Sequence, residues 1–340
     1  MKFDFAIGNP AYNESFTDDG NETFAPPVYH KFIDAACEIA DKVEMVHPAR
    51  FLFNAGSTPK AWNEKMLNDP HFKVLEYEEN GQKLFSNTEI KGGIAITYHD
   101  ANKNFGAIEV FTKYPELNTI LHKVDYSDSL SDSFYVQNKY NLNTLYADHP
   151  EYKEFIGSNG SDKRFRSNSF DKVPVFTDKP SKETDIPILG VVKNKRVIKY
   201  IPEKYIDQTH ANLYKWKVLI PTASGNGQYG ETLTEPVVSE PRNAYTQTFI
   251  GVGNYNNETE AVNLKRYLKT KFARALMGVL KITQHITPDV WKYVPKQDFT
   301  NKSDINWNSS IKKVDQQLYK KYNLTDEEID FIETHVKEME

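Results

Sequence analysis

The sequence predicts an α/β protein whose first part forms a parallel sheet, and three segments support this. Phe3, Phe5 and Ile7 alternate within residues 3–8, as in a short buried strand. Residues 27–42 carry apolar side chains near helical spacing, and residues 43–53 form a second apolar run. The order strand, turn, helix, strand is that of a βαβ unit, whose two strands lie parallel in one sheet.

The first strand leads directly into a turn of sequence Asn9-Pro10-Ala11-Tyr12. Gly8 lets the backbone turn sharply as the strand leaves the sheet. Ligands of open α/β sheets bind at the carboxyl ends of the strands. This turn is therefore the predicted site of chemistry.

The residue types in the turn suit a flat ligand that carries an amine. Pro10 fixes its own φ angle and restricts Asn9, so the Asn9 side-chain oxygen and the nearby carbonyls are stiffly aimed acceptors. Tyr12 offers a flat stacking face with a polar tip. Two acceptors beside an aromatic ring match the exocyclic amine of a planar base. Asn-Pro is also a common turn former, and a pattern of four residues recurs by chance.

At this turn the sequence resembles the adenine-specific DNA methyltransferases of bacterial restriction-modification systems, whose hallmark is Asn- or Asp-Pro-Pro-Tyr or -Phe. Three later blocks, residues 26–32, 47–51 and 91–96, are similar to those of the large, type IIG-like members fused or linked to restriction nucleases. The resemblance spans most of the chain and implies a partial Rossmann-like methyltransferase sheet. Ala11 stands in place of the usual second proline, which makes the turn less rigid.

The resemblance implies a role for each residue of the turn. In that family the target adenine is flipped out of the duplex, and the Asn side chain and the first Pro carbonyl accept its amine hydrogens. By position, Asn9 and Pro10 would be these acceptors, and Tyr12 would be the ring on which the base stacks. S-adenosylmethionine is the implied methyl donor, and the catalysis is positioning and electrostatics.

Composition sets loose limits on the class of protein. The 340 residues are enough for two domains with cores of their own, and 39% of them are hydrophobic. The single Cys37 excludes an internal disulfide, and no apolar run reaches the ~20 residues of a membrane span. Because its start lacks a signal peptide, the chain is expected to be cytoplasmic. A net charge of -5 does not indicate a nucleic-acid binder, so the distribution of charge has to be considered.

Four segments are predicted along the chain: a catalytic domain at 1–125, a connecting region at 126–184, a target-recognition domain at 185–310 and a helical C-terminal tail at 311–340. The first holds a helix from Thr58 to Asn68, a strand at 72–77, and two paired strands at 92–98 and 107–112. The third is mixed α/β, with hairpins at 186–201 and 214–221, a strand at 248–252, and a long helix from Glu258 to about Lys281 that Asn257 caps.

Basic residues concentrate in the predicted recognition domain and are candidates for DNA binding. They lie in a hairpin tip, in a strand that interleaves bases with aromatic residues, and along the long helix. Arginine and lysine contact phosphates, while aromatic and amide groups reach base edges. The candidates are Lys193, Lys195, Arg196, Lys199, Lys215, Trp216, Lys217, Lys265, Arg266 and, more weakly, Gln284. A glycine-rich loop at 225–230 is a further candidate for DNA binding. The other interpretation of each basic segment is a charged surface that contacts only solvent.

The cofactor site is missing from this prediction. Family members with this domain order normally carry the S-adenosylmethionine turn before the catalytic turn, and the eight residues before Asn9 leave no room for it. Residues 249–254 offer a Gly-x-Gly turn, as a permuted order would, but no buried strand ending in an acid follows the next helix. A bend before a capped helix is the better interpretation. A missing N-terminal segment or a partner subunit is therefore expected to supply the cofactor half, the part of the active site that binds S-adenosylmethionine. The chain could be a truncated enzyme, the product of a split gene or a remnant, and all three interpretations stay open.

Two other functions stay open. Asp69-Pro70 followed by Glu89-Ile90-Lys91 is the pattern of a metal-dependent DNA endonuclease, although Glu-x-Lys is common by chance. The other is a non-catalytic subunit that recognises double-stranded DNA through residues beyond about 185. The nine His residues are scattered without ligand spacing, so no structural zinc site is predicted.

Overall fold

The computed structural model describes residues 3–13, 26–53, 57–85, 90, 92–157, 163–281 and 283–339. The chain divides into two units, residues 1–118 and residues 119–340. Sheets and helices occur in both units, so the predicted α/β class is confirmed. The finer division into four segments stays a prediction.

The first unit holds a four-stranded sheet with strand order β1-β2-β4-β3. Its strands are β1 (Phe3–Gly8), β2 (Ala40–Pro48), β3 (Phe72–Glu78) and β4 (Ile94–Asp100), and its helices include α1 (Tyr29–Ile39) and α2 (Lys60–Leu67). β1 and β2 are parallel and are joined by α1, whereas β4 is antiparallel to both β2 and β3. The predicted βαβ unit is confirmed, and it consists of β1, α1 and β2.

The core of the first unit lies between α1 and one face of the sheet. Tyr29, Ile33 and Ala36 are buried at helical spacing and form the apolar stripe of α1. They belong to one cluster with Val43 and Met45 of β2. Helix α1 ends where the backbone becomes extended and β2 begins without an intervening loop.

The expectation that β1 is buried is wrong. Phe3, Phe5 and Ile7 are 60%, 44% and 74% exposed. In the parallel register Ala6 lies beside the buried Val43, so the alternate, large side chains point to the face of the sheet opposite α1. β1 is the edge strand of this sheet, and the described residues leave its large side chains uncovered.

A second correction concerns residues 107–112, which do not form the predicted strand. Glu109 has a left-handed φ of 54°, and its amide donates to the Leu67 carbonyl at 2.8 Å. A residue in that conformation cannot continue an extended ladder. The other predicted elements of this unit are present as α2, β3 and β4.

The second unit contains two sheets, with strand orders β10-β6-β7 and β5-β11-β8-β9. The strands are β5 (Phe134–Tyr135), β6 (Ile186–Val192), β7 (Lys195–Ile201), β8 (Trp216–Pro221), β9 (Val237–Ser239), β10 (Ala244–Tyr245) and β11 (Phe249–Tyr255). The hairpin at 186–201 is confirmed as β6 and β7, whose turn residues Lys193 and Asn194 have left-handed φ angles of 48° and 61°. The second predicted hairpin is wrong, because 214–221 holds only β8, which pairs with β9 and β11.

The predicted long helix of the second unit is two helices. Helix α3 (Pro115–Lys123) crosses the boundary between the units, and the helices after it are α4 (Leu142–Asp148), α5 (Tyr152–Ile156), α6 (Glu258–Lys269), α7 (Lys271–Met277), α8 (Ile311–Lys321) and α9 (Asp326–His335). Thr270 separates α6 from α7 with a ψ of 147°. Asn257 caps α6 as predicted, since its side-chain oxygen accepts from the Glu260 amide at 3.0 Å. Among the described residues, every helix is too short or too polar to serve as a membrane span.

Candidate functional site

The Asn9 turn lies at the carboxyl end of β1, where β1 and β2 run parallel. Asn9 is exposed, and Pro10 and Tyr12 are half-buried. The side-chain amide of Asn9 is therefore accessible to a ligand at the strand end, the position at which α/β sheets bind ligands.

The turn is fastened to the start of α1. The Val28 amide donates to the Tyr12 carbonyl at 3.0 Å, and Asn13 forms an antiparallel bridge with Pro27. At the other end of the turn, a Cβ atom on Gly8 would lie 3.0 Å from the Met45 sulfur, so a larger residue would press on β2. The bonds to Val28 and Pro27 hold the later end of the turn, and the pairing of Gly8 with Met45 holds the earlier end, which favours a preorganised site.

Tyr12 carries a partly enclosed ring. Its hydroxyl is buried and finds no hydrogen-bond partner among the described residues. Burial raises the pKa of this hydroxyl, so the phenol is neutral at physiological pH. A neutral aromatic ring beside exposed amide and carbonyl acceptors can stack on a planar base.

Two of the blocks that carry the family resemblance meet in the core of the first unit. The rings of Tyr29 and His47 are stacked, with centroids 5.5 Å apart, and His47 Nε2 lies 2.7 Å from the Thr97 hydroxyl. Burial lowers the pKa of His47 to about 4, so its imidazole is neutral at pH 7. These residues support the sheet beneath the turn and are enclosed away from any ligand.

The third block contains a glycine pair whose role is structural. Gly92 and Gly93 have left-handed φ angles of 89° and 79°. A Cβ atom on Gly93 would lie 2.6 Å from the Glu78 carbonyl, and the Gly93 carbonyl accepts from the Ala49 amide at 3.0 Å. Only glycine fits this close approach of two backbones. Lys91, the first residue of the block, lies outside the described residues.

The nuclease pattern is only partly visible. Asp69 accepts a hydrogen bond from the His71 amide and lies 3.4 Å from His99 Nε2, while Glu89 and Lys91 lie outside the described residues. Within the described part of the chain, no three His, Cys, Asp or Glu residues are grouped so that they could hold a metal ion.

Comparison with known proteins places the Asn9 turn in a family segment. Residues 1–85 match the Eco57I restriction-modification methylase family. The resemblance to restriction-modification adenine methylases is thereby confirmed. We call residues 1–85 the methylase segment, after the family that they match; it contains the Asn9 turn together with β1, α1, β2 and β3.

Two proteins with similarity to this chain are longer than it is. An uncharacterized adenine-specific methylase of Mycoplasma pneumoniae is 28% identical over 95 residues, which are 28% of this chain and 22% of that protein. The match thus spans about a fifth of that relative's length. The type IIG restriction endonuclease BpuSI aligns with 98% of this chain and 54% of its own chain, at 11% identity and a TM-score of 0.32. A score this low carries no argument about the fold.

Beyond the methylase segment, the candidate DNA contacts divide by exposure. Lys193 and Lys195 are exposed at the hairpin turn, and Arg196 is exposed with its guanidinium donating to the Glu235 carbonyl at 2.8 Å. Gln284 is exposed, and its backbone carbonyl accepts from the Ser224 amide. Their exposed side chains are accessible to a phosphate or a base edge.

The remaining candidates already have partners within the second unit. The Lys199 ammonium lies 2.6 Å from Asp178, and the Lys265 ammonium 2.8 Å from Glu235. Lys215 donates to the Asn256 side chain at 2.6 Å, and Arg266 donates to the Ser309 carbonyl at 2.9 Å. Trp216, next to Lys215, is half-buried. A phosphate would have to compete with these partners.

The expectation that Lys217 binds DNA is wrong. Its side chain is fully buried, and the ammonium donates to the Lys215 and Glu240 carbonyls at 3.1 and 2.9 Å. Burial lowers the pKa of Lys217 to about 7. An enclosed ammonium cannot reach a phosphate, so Lys217 belongs to the interior of the second unit.

The glycine-rich loop uses its amides internally. The Glu231 carboxylate accepts hydrogen bonds from the Asn226 and Gly227 amides at 2.8 and 3.1 Å, and it also pairs with the buried Lys281. These amides would otherwise be suited to bind an anion. Because the carboxylate of the same unit occupies that position, the loop is not an open phosphate cradle.

The glycines at 249–254 are packing residues. A Cβ atom on Gly251 would lie 2.4 Å from the Tyr245 hydroxyl. β11, which contains Gly251, is antiparallel to both β8 and β5. A dinucleotide-type turn instead follows a strand of a parallel βαβ unit. The described residues near this turn therefore do not fit S-adenosylmethionine.

Sequence reasoning missed Glu235, which contacts three basic residues of the second unit. Lys265 and Lys269 are four residues apart on α6 and so share one face of that helix. That spacing was visible in the sequence, but the partner of the pair lies thirty residues earlier, in the segment before β9. Only the tertiary structure brings these residues together.

Proposed function

We propose that this chain supplies the adenine-holding half of a site-specific DNA adenine methyltransferase in a restriction-modification system. The observation that carries the proposal is the position of Asn9-Pro10-Ala11-Tyr12, within the methylase segment and at the carboxyl end of the parallel strand β1. The second unit, with its exposed basic hairpin, would bind double-stranded DNA.

The turn would act on a flipped adenine by positioning and hydrogen bonding. The Asn9 side-chain oxygen and the Pro10 carbonyl would each accept one hydrogen of the exocyclic amine. These two bonds raise the electron density on a weakly nucleophilic nitrogen and aim it. Tyr12 would stack on the base. S-adenosylmethionine would supply the methyl group, and we assign it no site among the described residues.

The sheet topology supports a cofactor half that packs against β1. Asn9 follows the edge strand, and the opposite edge strand, β3, is three strand spacings away, or about 14 Å. A methyl donor must lie within reach of the turn, which leaves the outer side of β1. The exposed Phe3, Phe5 and Ile7 are the apolar surface that such a partner would cover. A further N-terminal segment or a partner subunit would supply it.

A non-catalytic recognition subunit is the second candidate. Two observations favour it: Ala11 loosens the turn, and no cofactor site is evident among the described residues. Under this alternative the second unit would still bind DNA, but the Asn9 turn would be inert.

Substitution of Asn9 tests the proposal. In the assembly that includes the cofactor half, Asn9→Ala should abolish transfer of labelled methyl groups to duplex DNA, because one of the two amine acceptors is lost. DNA binding should stay close to that of the unmodified chain. Asn13→Ala is the matched control, since Asn13 is also exposed and lies just after the turn. Methylation retained by Asn9→Ala contradicts the proposal and favours the recognition subunit.

A further inference from the structure

Two basic segments of the second unit meet at Glu235. The Lys265 ammonium lies 2.8 Å from one carboxylate oxygen of Glu235, and the Lys269 ammonium lies 3.2 Å from the other. The Arg196 guanidinium donates to the backbone carbonyl of the same residue at 2.8 Å. A hairpin and a helix about seventy residues apart in the sequence thus place three cations around one acid; we call these four residues the Glu235 cluster.

The Glu235 cluster is accessible from solvent. The Glu235 side chain is 51% exposed and that of Lys265 is 30% exposed, while Lys269 is nearly buried beneath them. Arg196 is exposed and lies next to Lys195 at the hairpin turn. Burial opposes ionisation of Glu235, but the hydrogen bonds from Lys265 and Lys269 outweigh it and hold the pKa of this carboxyl below its usual value. The carboxylate is therefore charged at physiological pH.

The charges of the cluster do not balance. Two ammonium groups contact the Glu235 carboxylate, and a guanidinium lies at the backbone carbonyl of the same residue. The cluster therefore has an excess of positive charge, in a chain whose net charge is -5. A polyanion would be repelled by the molecule as a whole and attracted at this position. Guanidinium and ammonium groups hydrogen-bond phosphate oxygens as readily as carboxylate oxygens.

We propose that the Glu235 cluster is a phosphate-contacting surface for duplex DNA, on which the Glu235 carboxylate holds Lys265 and Lys269 until a backbone phosphate replaces it. This inference rests on the proposed DNA-binding role of the second unit. Replacement exchanges one set of charge-assisted hydrogen bonds for another, so Glu235 weakens sequence-independent binding without abolishing it. The surface positions DNA through its backbone and does not read bases.

The test is removal of the Glu235 charge. Binding of a fluorescein-labelled duplex of arbitrary sequence is followed by fluorescence anisotropy over a series of salt concentrations. Glu235→Gln should tighten binding about threefold to fivefold at low salt, which is the scale of an exposed ion pair. It should also steepen the log–log salt dependence by about 1, because one further phosphate is neutralised.

Asp304→Asn is the matched control. It removes the same charge and frees Lys321, its partner at 3.0 Å, which lies on α8 outside the Glu235 cluster. Its affinity should change by less than about twofold. Arg196→Gln and Lys265→Gln should each weaken binding and flatten the salt dependence by about 1. Thermal unfolding followed by circular dichroism checks that each variant is folded.

The outcomes separate the inference from the proposed function. If the unmodified chain binds DNA and Glu235→Gln leaves the affinity unchanged, the inference alone is overturned. The same holds if Asp304→Asn tightens binding as much as Glu235→Gln does. Unchanged affinity in both Arg196→Gln and Lys265→Gln also overturns it. Absence of DNA binding by all of the proteins overturns the inference together with the recognition role of the second unit.

Discussion

The two units of the chain differ in how they treat large apolar side chains. Of the twelve large hydrophobic residues that are exposed in the described part of the chain, eight lie in the first unit, although it is the shorter one. They are Phe3, Phe5, Ile7, Phe32, Ile39, Phe53, Leu75 and Leu84. Phe32 and Ile39 are seven residues apart on α1 and share one side of that helix. The first unit therefore presents apolar surface at β1 and along α1.

In the second unit, two buried charged side chains have hydrogen-bond partners within the unit. Arg274 is fully buried, and its guanidinium donates to the Lys269 and Glu231 carbonyls, both at 3.3 Å. Asp315 is also buried and accepts hydrogen bonds from the Lys271 and Phe272 amides at the start of α7. Hydrogen bonds of this kind are what allow a charged side chain to be buried.

This contrast bears on the proposed cofactor half, which would pack against the first unit. An exposed apolar edge strand invites pairing. The edge strand β1 of the first unit exposes three large apolar side chains, whereas the edge strand β7 of the second unit exposes only Ile198 among the described residues. Three measurements, from the largest expected effect to the smallest, can break or sharpen the comparison.

The first compares two isoleucines of the first unit. Ile33 of α1 is 1% exposed, whereas Ile7 of β1 is 74% exposed. Ile33→Ala should lower the free energy of unfolding by about 3 kcal/mol, because it leaves a cavity. Ile7→Ala should change it by less than about 0.5 kcal/mol. Urea unfolding of the isolated chain measures both. Equal losses would show that β1 is covered in solution, and the comparison would fail.

The second concerns the interior of the second unit. Arg274→Met keeps much of the side-chain volume but removes the donor to the Lys269, Glu231 and Lys337 carbonyls. We expect the free energy of unfolding to fall by about 2 kcal/mol. The control is Lys302→Met at an exposed position, which should have an effect of under about 0.5 kcal/mol. If the two variants unfold alike in urea, the buried network does not stabilise this unit.

The third uses the buried Lys217. Its folded-state pKa of about 7 is below the ordinary lysine value of 10.5, so between these pH values the unfolded chain binds more protons than the folded chain. The stability of the unmodified chain relative to Lys217→Met should therefore rise with pH across this window, by about 1 kcal/mol per pH unit. Below pH 7 the difference should level off. Unfolding curves of the two proteins at pH 7.5 and 8.5 should differ in offset by about 1 kcal/mol, and a constant offset would contradict this.

The sequence predicted strands better than it predicted what covers them. The alternation of Phe3, Phe5 and Ile7 marks a real strand, and the order of β1, α1 and β2 follows from the pattern. Periodicity identifies one apolar face but does not say whether another segment packs on it. The exposure of β1 could therefore be seen only in the structure.

Other differences arise from contacts between distant residues. The helix predicted to run from Glu258 breaks at Thr270, where the amides of Lys271 and Phe272 are bound by Asp315, more than forty residues later. Threonine inside a helical pattern lowers helix propensity too little to signal such a break. Lys217 lies in a basic and aromatic pattern typical of a surface, and only the tertiary structure shows it enclosed. The Asn9 turn could be found early because its residues are local in sequence.

The proposed division of the active site gives this chain the adenine-holding half and another segment or subunit the cofactor half. Its most direct test is calorimetric titration of the isolated chain with S-adenosylmethionine, with a titration of duplex DNA alongside it. We expect the chain to bind the duplex and to show no measurable binding of S-adenosylmethionine, because the chain would hold the adenine while a further segment or subunit held the methyl donor. Stoichiometric binding of S-adenosylmethionine would contradict it, and would mean that this chain contains a cofactor site of its own.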